Sequence, residues 1–252
     1  MGVRKGLSEE MTAMPMLEVK SVTKHFGHLA AVNNLSFEVE EGEIFGIAGP
    51  NGAGKTTLFN LIAGTYPCSG EIVFRGERIN GLRPHRICEK GVARTFQVPL
   101  VFSSLTVYQN VETGVHFGNQ ELEDEEKSVS ETLEFVGLKA KADIEARHLR
   151  LFDKKMTMLA AALATKPKLL LVDEPAGGLN PAEIKQTISL FRQINEELGI
   201  TVIVIEHLMK VLMGISQKLM ILNEGEKICT GSPEIVAKDS RVIEVYLGAH
   251  YA

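Results

Sequence analysis

The fold is decided by the stretch Gly49-Pro50-Asn51-Gly52-Ala53-Gly54-Lys55-Thr56, which fits the pattern G-x-x-x-x-G-K-[ST] of a phosphate-binding loop. The apolar run 44–48 before it predicts a buried strand, and 57–63 after it predicts a helix. Glycines let successive backbone N–H groups face an anion, and the helix N-terminus adds partial positive charge. We therefore predict a polyphosphate site in which Lys55 reaches the β- and γ-phosphates and the Thr56 hydroxyl binds Mg²⁺. The alternative, a glycine-rich turn with a lysine, is disfavoured because strand, loop and helix occur in register.

The composition is that of an ordinary globular chain. Of its 252 residues, 44% are hydrophobic and 23% are charged, which allows one large domain or a core with a subdomain. The net charge of −5 argues against general nucleic-acid binding and leaves only a local basic patch open. The three cysteines form no C-x-x-C pair, which predicts reduced thiols. We therefore expect a cytoplasmic protein with no nucleic-acid partner.

Targeting and membrane signals are weak in this sequence. No run approaches the ~18–20 consecutive apolar residues of a membrane span. Residues 1–10 lack the apolar segment of a signal peptide. We expect residues 1–15 to form a flexible tail and 16–252 to form the folded domain. A role at a membrane would then depend on a partner.

Alternating residues predict strands on both sides of the phosphate loop. Residues 16–20 and 35–40 alternate before it, and 69–76 form a turn-bounded strand after the first helix. Strands in these positions predict a small antiparallel sheet beside a nucleotide-binding α/β core.

The segment 98–165 has a different character. Residues 129–135 and 154–164 have helical spacing and few β-branched residues. We predict a mostly helical subdomain inserted into the core. The remaining segments would form the core and the β subdomain: 16–97 and 166–252.

The α/β pattern returns after this insertion. The stretch 168–174 begins with a lysine, is continuously apolar from 169 to 172 and ends in Asp173 and Glu174, which is typical of a central parallel strand. Residues 201–205 predict a second buried strand, with His207 near its carboxyl end. Functional side chains of open α/β sheets gather at such strand ends.

Three side chains at these ends are candidates for chemistry. Asp173 is placed to hold Mg²⁺ opposite Thr56, and Glu174 to orient a water in line with the γ-phosphate. His207 could hydrogen-bond the γ-phosphate. The alternatives are a plain turn for the two acids and an ordinary packed or surface residue for His207. The upstream phosphate loop favours the functional interpretation of the two acids.

Further local signals mark elements downstream. Asn180, Pro181 and Glu183 predict a helix start, with a cap, a first-turn proline and an acid at the third helical position. Residues 224–225 predict a hairpin turn, and 240–247 predict a final helix.

In chain order, six features resemble the ATP-binding subunits of ABC transporters. Residues 49–56 match the Walker A loop of that family, and 169–174 resemble Walker B followed by the catalytic glutamate. Gly178-Leu179-Asn180 resembles the D-loop, with Asn180 in place of the usual aspartate. His207 falls at the position of the switch histidine.

Two further matches complete the resemblance. Arg94-Thr95-Phe96-Gln97 resembles the Q-loop, which implies that Gln97 joins Mg²⁺ and the attacking water to the helical subdomain. Phe26 lies where the family places an aromatic side chain that stacks on adenine. Together the six features cover nearly the whole chain from Met16 to Leu247.

The resemblance implies a fold and an activity. The fold is α/β: a P-loop NTPase core of the ABC type with an antiparallel β subdomain and an inserted helical subdomain. The activity is ATP hydrolysis that powers a membrane transporter, with ATP and Mg²⁺ bound and permease subunits as partners. The implied catalytic residues are Lys55, Gln97, Glu174 and His207, and the implied metal ligands are Thr56, Gln97 and Asp173. The implied ATP-binding residues are Phe26, Gly49, Pro50, Asn51, Gly52, Ala53, Gly54, Lys55, Thr56 and Thr57.

One element departs from the family pattern. The signature Leu-Ser-Gly-Gly-Gln, which closes over ATP held by the other subunit, should occupy Leu149-Arg150-Leu151-Phe152-Asp153, where only the leucine is kept. Losing one donor to a developing charge costs about 2.7–4 kcal/mol. A shifted but functional loop is the alternative. We expect a weakened half-site and a heterodimer with a second ATPase that has an intact signature.

The resemblance extends to a subgroup, the paired ATPases of branched-chain amino-acid and related amide or urea importers. It rests on 91–97, 173–181, 205–207 and the ending 242–248. The nearest competitor is the lipopolysaccharide-export ATPase, which shares the Tyr-Leu-Gly ending. A binding-only regulatory subunit is the other alternative, and chromosome-maintenance ATPases are disfavoured because long insertions are lacking. We expect a peripheral protein held by permeases on the inner face of the cell membrane.

Overall fold

The structure is a computed structural model, and it describes residues 14–118 and 124–247. Most of the tail predicted at residues 1–15 lies outside these ranges. In the described part, no helix is both long enough and apolar enough to cross a membrane.

The first sheet is antiparallel. Two of its strands precede the phosphate loop in sequence, and the other two follow the first helix. The sheet contains strands β1 (Leu17–Phe26), β2 (Leu29–Val39), β4 (Ser69–Phe74) and β5 (Glu77–Arg78). Their order in the sheet is β2-β1-β4-β5. This confirms the small antiparallel sheet that the alternating residues predict.

The second sheet is mostly parallel and forms the core. Its strands are β3 (Ile44–Ala48), β6 (Val92–Arg94), β7 (Leu169–Asp173), β8 (Thr201–Ile205), β9 (Lys218–Asn223) and β10 (Glu226–Gly231). The order is β10-β9-β3-β8-β7-β6, in which only the β9–β10 hairpin is antiparallel. The carboxyl ends of β3, β6, β7 and β8 therefore share one edge.

Helices cover the core sheet and fill the insertion. They are α1 (Lys55–Ile62), α2 (Pro84–Glu89), α3 (Val107–His116), α4 (Glu125–Phe135), α5 (Leu151–Ala164), α6 (Pro181–Glu196), α7 (Met209–Ile215), α8 (Pro233–Val236) and α9 (Ser240–Leu247). The sequence signals predicted the starts of α6 and α9 correctly. They did not predict α2 or α7, which are short helices of six and seven residues.

The core strands are buried on both faces, as their unbroken apolar runs predict. In β7, Leu170 and Val172 face a cluster under α6 and α7, whereas Leu169 and Leu171 face the cluster around α1. The second cluster also holds the inner face of the antiparallel sheet, so α1 lies between the two sheets. This packing confirms the α/β fold class.

The segment between β6 and β7 contains α3, α4 and α5, in agreement with the predicted helical insertion. Helices α3 and α5 lie so close that a Cβ on Gly114 would be 2.0 Å from the carbonyl oxygen of Ala161. The exact boundaries of the helical subdomain, between residues 97 and 98 and between residues 165 and 166, stay a prediction. A sulfur atom links the insertion to the core, because the backbone N–H groups of Phe96 and Leu100 both donate to Sδ of Met158.

Candidate nucleotide-binding site

The phosphate loop lies at the carboxyl end of β3 and leads directly into α1, which begins at Lys55. Two glycines shape it. A Cβ on Gly49 would lie 2.1 Å from the carbonyl oxygen of Leu222, and one on Gly54 would lie 2.2 Å from that of Ala31. Both have positive φ angles, 148° and 97°. The loop conformation therefore requires glycine at these positions.

The Lys55 ammonium lies inside the loop. Its Nζ donates to the carbonyl oxygens of Gly49 at 2.8 Å and Pro50 at 2.9 Å. Burial lowers the pKa of Lys55, and the nearby carboxylates of Asp173 and Glu174 partly offset this effect. The Lys55 ammonium therefore lies near two carboxylates, that of Asp173 at the end of strand β7 and that of Glu174 directly after it.

Asp173 ends strand β7 and is nearly fully buried. Its Oδ2 accepts from Nη2 of Arg94 at 3.2 Å, whereas its Oδ1 has no hydrogen-bond partner among the described residues. Burial raises the pKa of Asp173, opposed by Arg94. Thr56 is exposed at the start of α1 and makes no direct hydrogen bond to Asp173 in the described part of the chain; Thr57 is half-buried beside it.

A divalent cation fits this donor set. A buried carboxylate oxygen without a partner is unfavourable, and an oxygen-preferring cation such as Mg²⁺ would satisfy it. The Thr56 hydroxyl and the Gln97 amide oxygen are ligands of the same hard class. The chemistry of the residues therefore agrees with the metal that the sequence predicts.

Glu174 is the point where two predicted residues meet. Nε2 of Gln97 donates to its Oε2 at 2.6 Å, and Nε2 of His207 lies 2.7 Å from its Oε1. Its backbone has a φ of 46°, a left-handed conformation that non-glycine residues rarely adopt. Such strain persists only where the surroundings impose it.

Lys155 is one residue that imposes this conformation. It lies on α5, is 5% exposed, and donates to the carbonyl oxygens of Glu174 at 2.9 Å and Pro175 at 3.1 Å. Burial lowers the pKa of Lys155, and Glu206 and Glu174 oppose that shift. The inserted helices thus reach the backbone of the strained residue.

Glu206 is the second such residue. It follows β8 and is 2% exposed. One carboxylate oxygen accepts the backbone N–H of Ala176, and the other accepts those of His207 and Leu208. Burial raises the pKa of Glu206 despite these bonds. It therefore ties the segment after Glu174 to the segment that contains His207.

Phe26 lies apart from this group, at the end of β1. It is 45% exposed and packs edge to face against Tyr66 with ring centroids 5.4 Å apart. Nζ of Lys24 lies 5.1 Å from the Phe26 ring centroid. An exposed aromatic pair of this kind could receive a flat base on its open face.

The signature slot forms the start of α5. Arg150 is the residue before the helix and gives no side-chain cap, and Leu151 is 42% exposed. Phe152 is half-buried and packs against the core, so Leu151 is the more exposed of the two bulky side chains. Asp153 is buried and accepts from Nζ of Lys141 at 2.5 Å. The first turn of α5 therefore contains a carboxylate, that of Asp153.

Sequence reasoning missed four residues of the site. Arg94 and Glu206 stand inside stretches that the resemblance covers, but a charged residue next to a motif gives no sign of its contacts. Lys155 lies in a helix whose periodicity gives no sign that a lysine is among its buried residues. Tyr66 lies in a loop whose position only the fold defines.

Fold and site together define a P-loop ATPase of the ABC class. A model of the ABC transporter family matches residues 32–177, and the chain belongs to that family. It is an ATP-binding and ATP-hydrolysing subunit of the kind that serves membrane transporters. A second model, described as a branched-chain amino acid ATP-binding cassette transporter, matches residues 226–252.

Known proteins similar to this chain agree with that class. The "high-affinity branched-chain amino acid transport ATP-binding protein LivG" of Salmonella typhimurium is 37% identical over 94% of this chain and 99% of its own. BraF of Pseudomonas aeruginosa, with the same description, is 37% identical over 93% and 98%. A crystal structure of an ABC transporter's ATP-binding cassette in its ADP conformation superposes with a TM-score of 0.83, at 28% identity over 93% and 99%.

Proposed function

We propose that this ATPase drives import of branched-chain amino acids or related amides through a membrane permease complex. Similarity over almost the full length to LivG and BraF supports the substrate class. The match at residues 226–252 supports it independently, because this end lies outside the ATPase family match. The permeases would hold the protein on the inner face of the membrane.

One observation carries the hydrolytic part of the proposal: both carboxylate oxygens of Glu174 are held, one by Gln97 and one by His207. A carboxylate fixed in this way can orient a water toward the γ-phosphorus and accept its proton. Lys55 would exchange its two loop carbonyls for the β- and γ-phosphate oxygens. Bound Mg²⁺, held by Thr56 and Asp173 with Gln97, would neutralise charge on the phosphates.

The permease contact is proposed for the segment after Gln97. Val98, Leu100 and Phe102 are 69%, 63% and 61% exposed, which is unusual for three apolar side chains so close in sequence. They follow the residue that contacts Glu174 and are linked through Met158 to α5. Movement of this segment would therefore carry the state of the ATP site to the membrane subunits.

The second ATPase in the proposal is a different chain with an intact signature. In this chain, Leu151 and Asp153 stand where the family has residues that approach the partner's ATP closely. Neither side chain offers the small backbone or the hydroxyl donor that lets a phosphate approach closely, and Asp153 is already paired with Lys141. The site that contains Lys55 and Glu174 would work against the partner's signature, and the opposite site would be weak.

ATPase measurements test this asymmetry. The purified chain alone is expected to hydrolyse ATP at least about 10²-fold more slowly than the assembled transporter. Arg150→Ser combined with Leu151→Gly should raise the activity of the lone chain, whereas Leu198→Gly, at a comparably exposed leucine, should not. Full activity of the unmodified lone chain would overturn the heterodimer proposal.

Substrate class is tested separately. Vesicles with the full transporter should take up labelled leucine in an ATP-dependent manner, and excess valine or isoleucine should compete. The lipopolysaccharide-export alternative predicts no amino-acid uptake at all. The neighbouring genes give a quick check, because adjacent permeases and a binding protein fit an importer.

A binding-only subunit is the second candidate function, and the altered stretch 149–153 favours it. The assembled contacts of Glu174 and His207 argue against it. Single-turnover hydrolysis with the partner present separates the two candidates, because a regulatory subunit would bind ATP and return it unhydrolysed.

A further inference from the structure

Arg94 is a buried cation beside the proposed metal ligand, and no motif assigns it a role. It ends β6, which lies next to β7 with Arg94 opposite Leu171. Its side chain is 8% exposed. Nη1 donates to Oδ1 of Asn60 at 2.6 Å and Nη2 donates to Oδ2 of Asp173 at 3.2 Å. One guanidinium thus joins helix α1, behind the phosphate loop, to the end of β7.

Two aromatic rings limit the movement of this guanidinium. Its central carbon lies 5.6 Å from the ring centroid of Phe59 and 4.8 Å from that of Phe96. Phe96 directly precedes Gln97, whose amide contacts Glu174. Contacts of a cation with ring faces are favourable and directional. Arg94 is therefore linked to both acids of the site, directly to Asp173 and indirectly to Glu174.

Stability alone does not explain this buried pair. Removing two charges from water costs free energy that their attraction often fails to recover, and apolar replacements of similar volume are frequently neutral. In addition, Nε of Arg94 and Oδ1 of Asp173 have no partner among the described residues. A pair that leaves two polar atoms unsatisfied is a poor device for holding a core together.

We infer that Arg94 is a positioning residue that fixes the carboxylate of Asp173, so that Oδ1 is presented to the divalent cation of the ATP site. Since Oδ2 is engaged by Arg94, Oδ1 is the oxygen left for a metal. Arg94 and Lys55 also balance the charges of Asp173 and Glu174 before nucleotide binds. Partners that orient a metal ligand typically change metal affinity about 10–100-fold when removed.

The inference rests on the proposed role of Asp173, so the experiment separates the two. ATP binding by the full-length chain is measured in EDTA and across a Mg²⁺ titration, and bound Mn²⁺ is followed by its EPR signal as a probe of the metal site. Arg94→Met should raise the Mg²⁺ concentration that gives half of the Mg²⁺-dependent increase in ATP binding, by about tenfold or more. ATP binding in EDTA should stay unchanged, and a smaller fraction of the Mn²⁺ should be bound, so that the sharp signal of free aqueous Mn²⁺ grows.

Two milder variants protect the test against misfolding. Arg94→Lys keeps the charge but lacks the planar fork that reaches Asn60 and Asp173 together, so only partial rescue is expected. Asn60→Ala removes one anchor and should give an intermediate shift. Arg86→Met, at an exposed arginine of α2 paired with Glu89, is the matched control and should have no effect.

The outcomes are distinct. If Asp173→Asn raises the Mg²⁺ requirement and the folded Arg94 and Asn60 variants do not, the inference about Arg94 is overturned while the metal site stands. If Asp173→Asn has no effect either, the proposed metal site itself fails. Equal loss of ATP binding in EDTA and in Mg²⁺ would reduce Arg94 to a purely structural residue.

Discussion

Nε2 of His207 lies 2.7 Å from Oε1 of Glu174, although the two residues are 33 positions apart in sequence. The contact forms because β7 and β8 are neighbouring parallel strands, so residues just beyond them meet at one edge of the sheet. His207 therefore contacts the carboxylate that would orient the attacking water. A contact to the γ-phosphate, as the sequence suggested, would be made from this same position.

Replacing Glu174 by glutamine should separate ATP binding from hydrolysis. The amide has nearly the same shape but cannot accept a proton from water, so hydrolysis in the assembled transporter should fall about 10²–10⁴-fold. ATP should still bind and should trap the closed ATPase pair, which light scattering would detect. Glu183→Gln, at the start of α6, is the control, and unchanged turnover in the Glu174 variant would refute the assigned role.

Replacing Lys155 by methionine should affect both stability and turnover. The change leaves the carbonyls of Glu174 and Pro175 without their charged donor, which costs about 2 kcal/mol. For a chain of this length the melting temperature should drop by about 4–8 °C. The rate constant kcat should fall while KM for ATP changes little, because Lys55 and the loop are untouched.

The control for that experiment is Lys154→Met, at the adjacent half-buried lysine of α5. It should leave both properties close to those of the native chain. A Lys155 variant with lower stability but native kcat would show that the lysine supports the fold and has no influence on the geometry of Glu174.

Glu206 predicts a pH dependence of stability. Burial raises its pKa above the usual 4.5 in the folded state. The folded chain thus holds this proton more tightly than the unfolded chain. The stabilisation from this group is fully present below the unfolded pKa and is lost as the pH rises through the folded pKa. Glu206→Gln should remove this downward slope, which amounts to at most ~1.4 kcal/mol per pH unit.

Urea unfolding at a series of pH values from about 4 to 8 measures this slope. At the acid end of this range the variant should be less stable by about 1–3 kcal/mol, because one backbone N–H loses its acceptor, and this difference should shrink as the pH rises. Glu41→Gln, at an exposed glutamate, serves as the control. Identical slopes in the native chain and the Glu206 variant would contradict the prediction.

Gly49→Ala should abolish ATP binding by distorting the phosphate loop. The new methyl group would lie 2.1 Å from the carbonyl oxygen of Leu222, closer than any real contact, so the loop must move. Gly137→Ala is the matched control, since its φ is also positive, at 76°, but a Cβ there has nothing within 4 Å. Both variants carry backbone strain of about 1–3 kcal/mol, and only the first should lose nucleotide, as measured by equilibrium dialysis.

Much of this architecture could be predicted because local signals agree with one another. The unbroken apolar run before Asp173 defines a strand buried on both faces, and the cap at Asn180 with Pro181 and Glu183 fixes the start of α6. The short helices α2 and α7 escaped prediction, because six or seven residues give too few turns for a clear periodicity. Their positions depend on packing against the sheet.

The sequence by itself determined the phosphate loop, the order of the strands along the chain and the acids at the end of β7. These features are local, since each depends on residues within a few positions of one another. Only the tertiary structure decided that Gln97 and His207 hold the same carboxylate and that Arg94 occupies one oxygen of Asp173. Those contacts depend on which strands are neighbours in the sheet and on which polar groups lie near each buried charge. The spacing of residues along the chain determines neither.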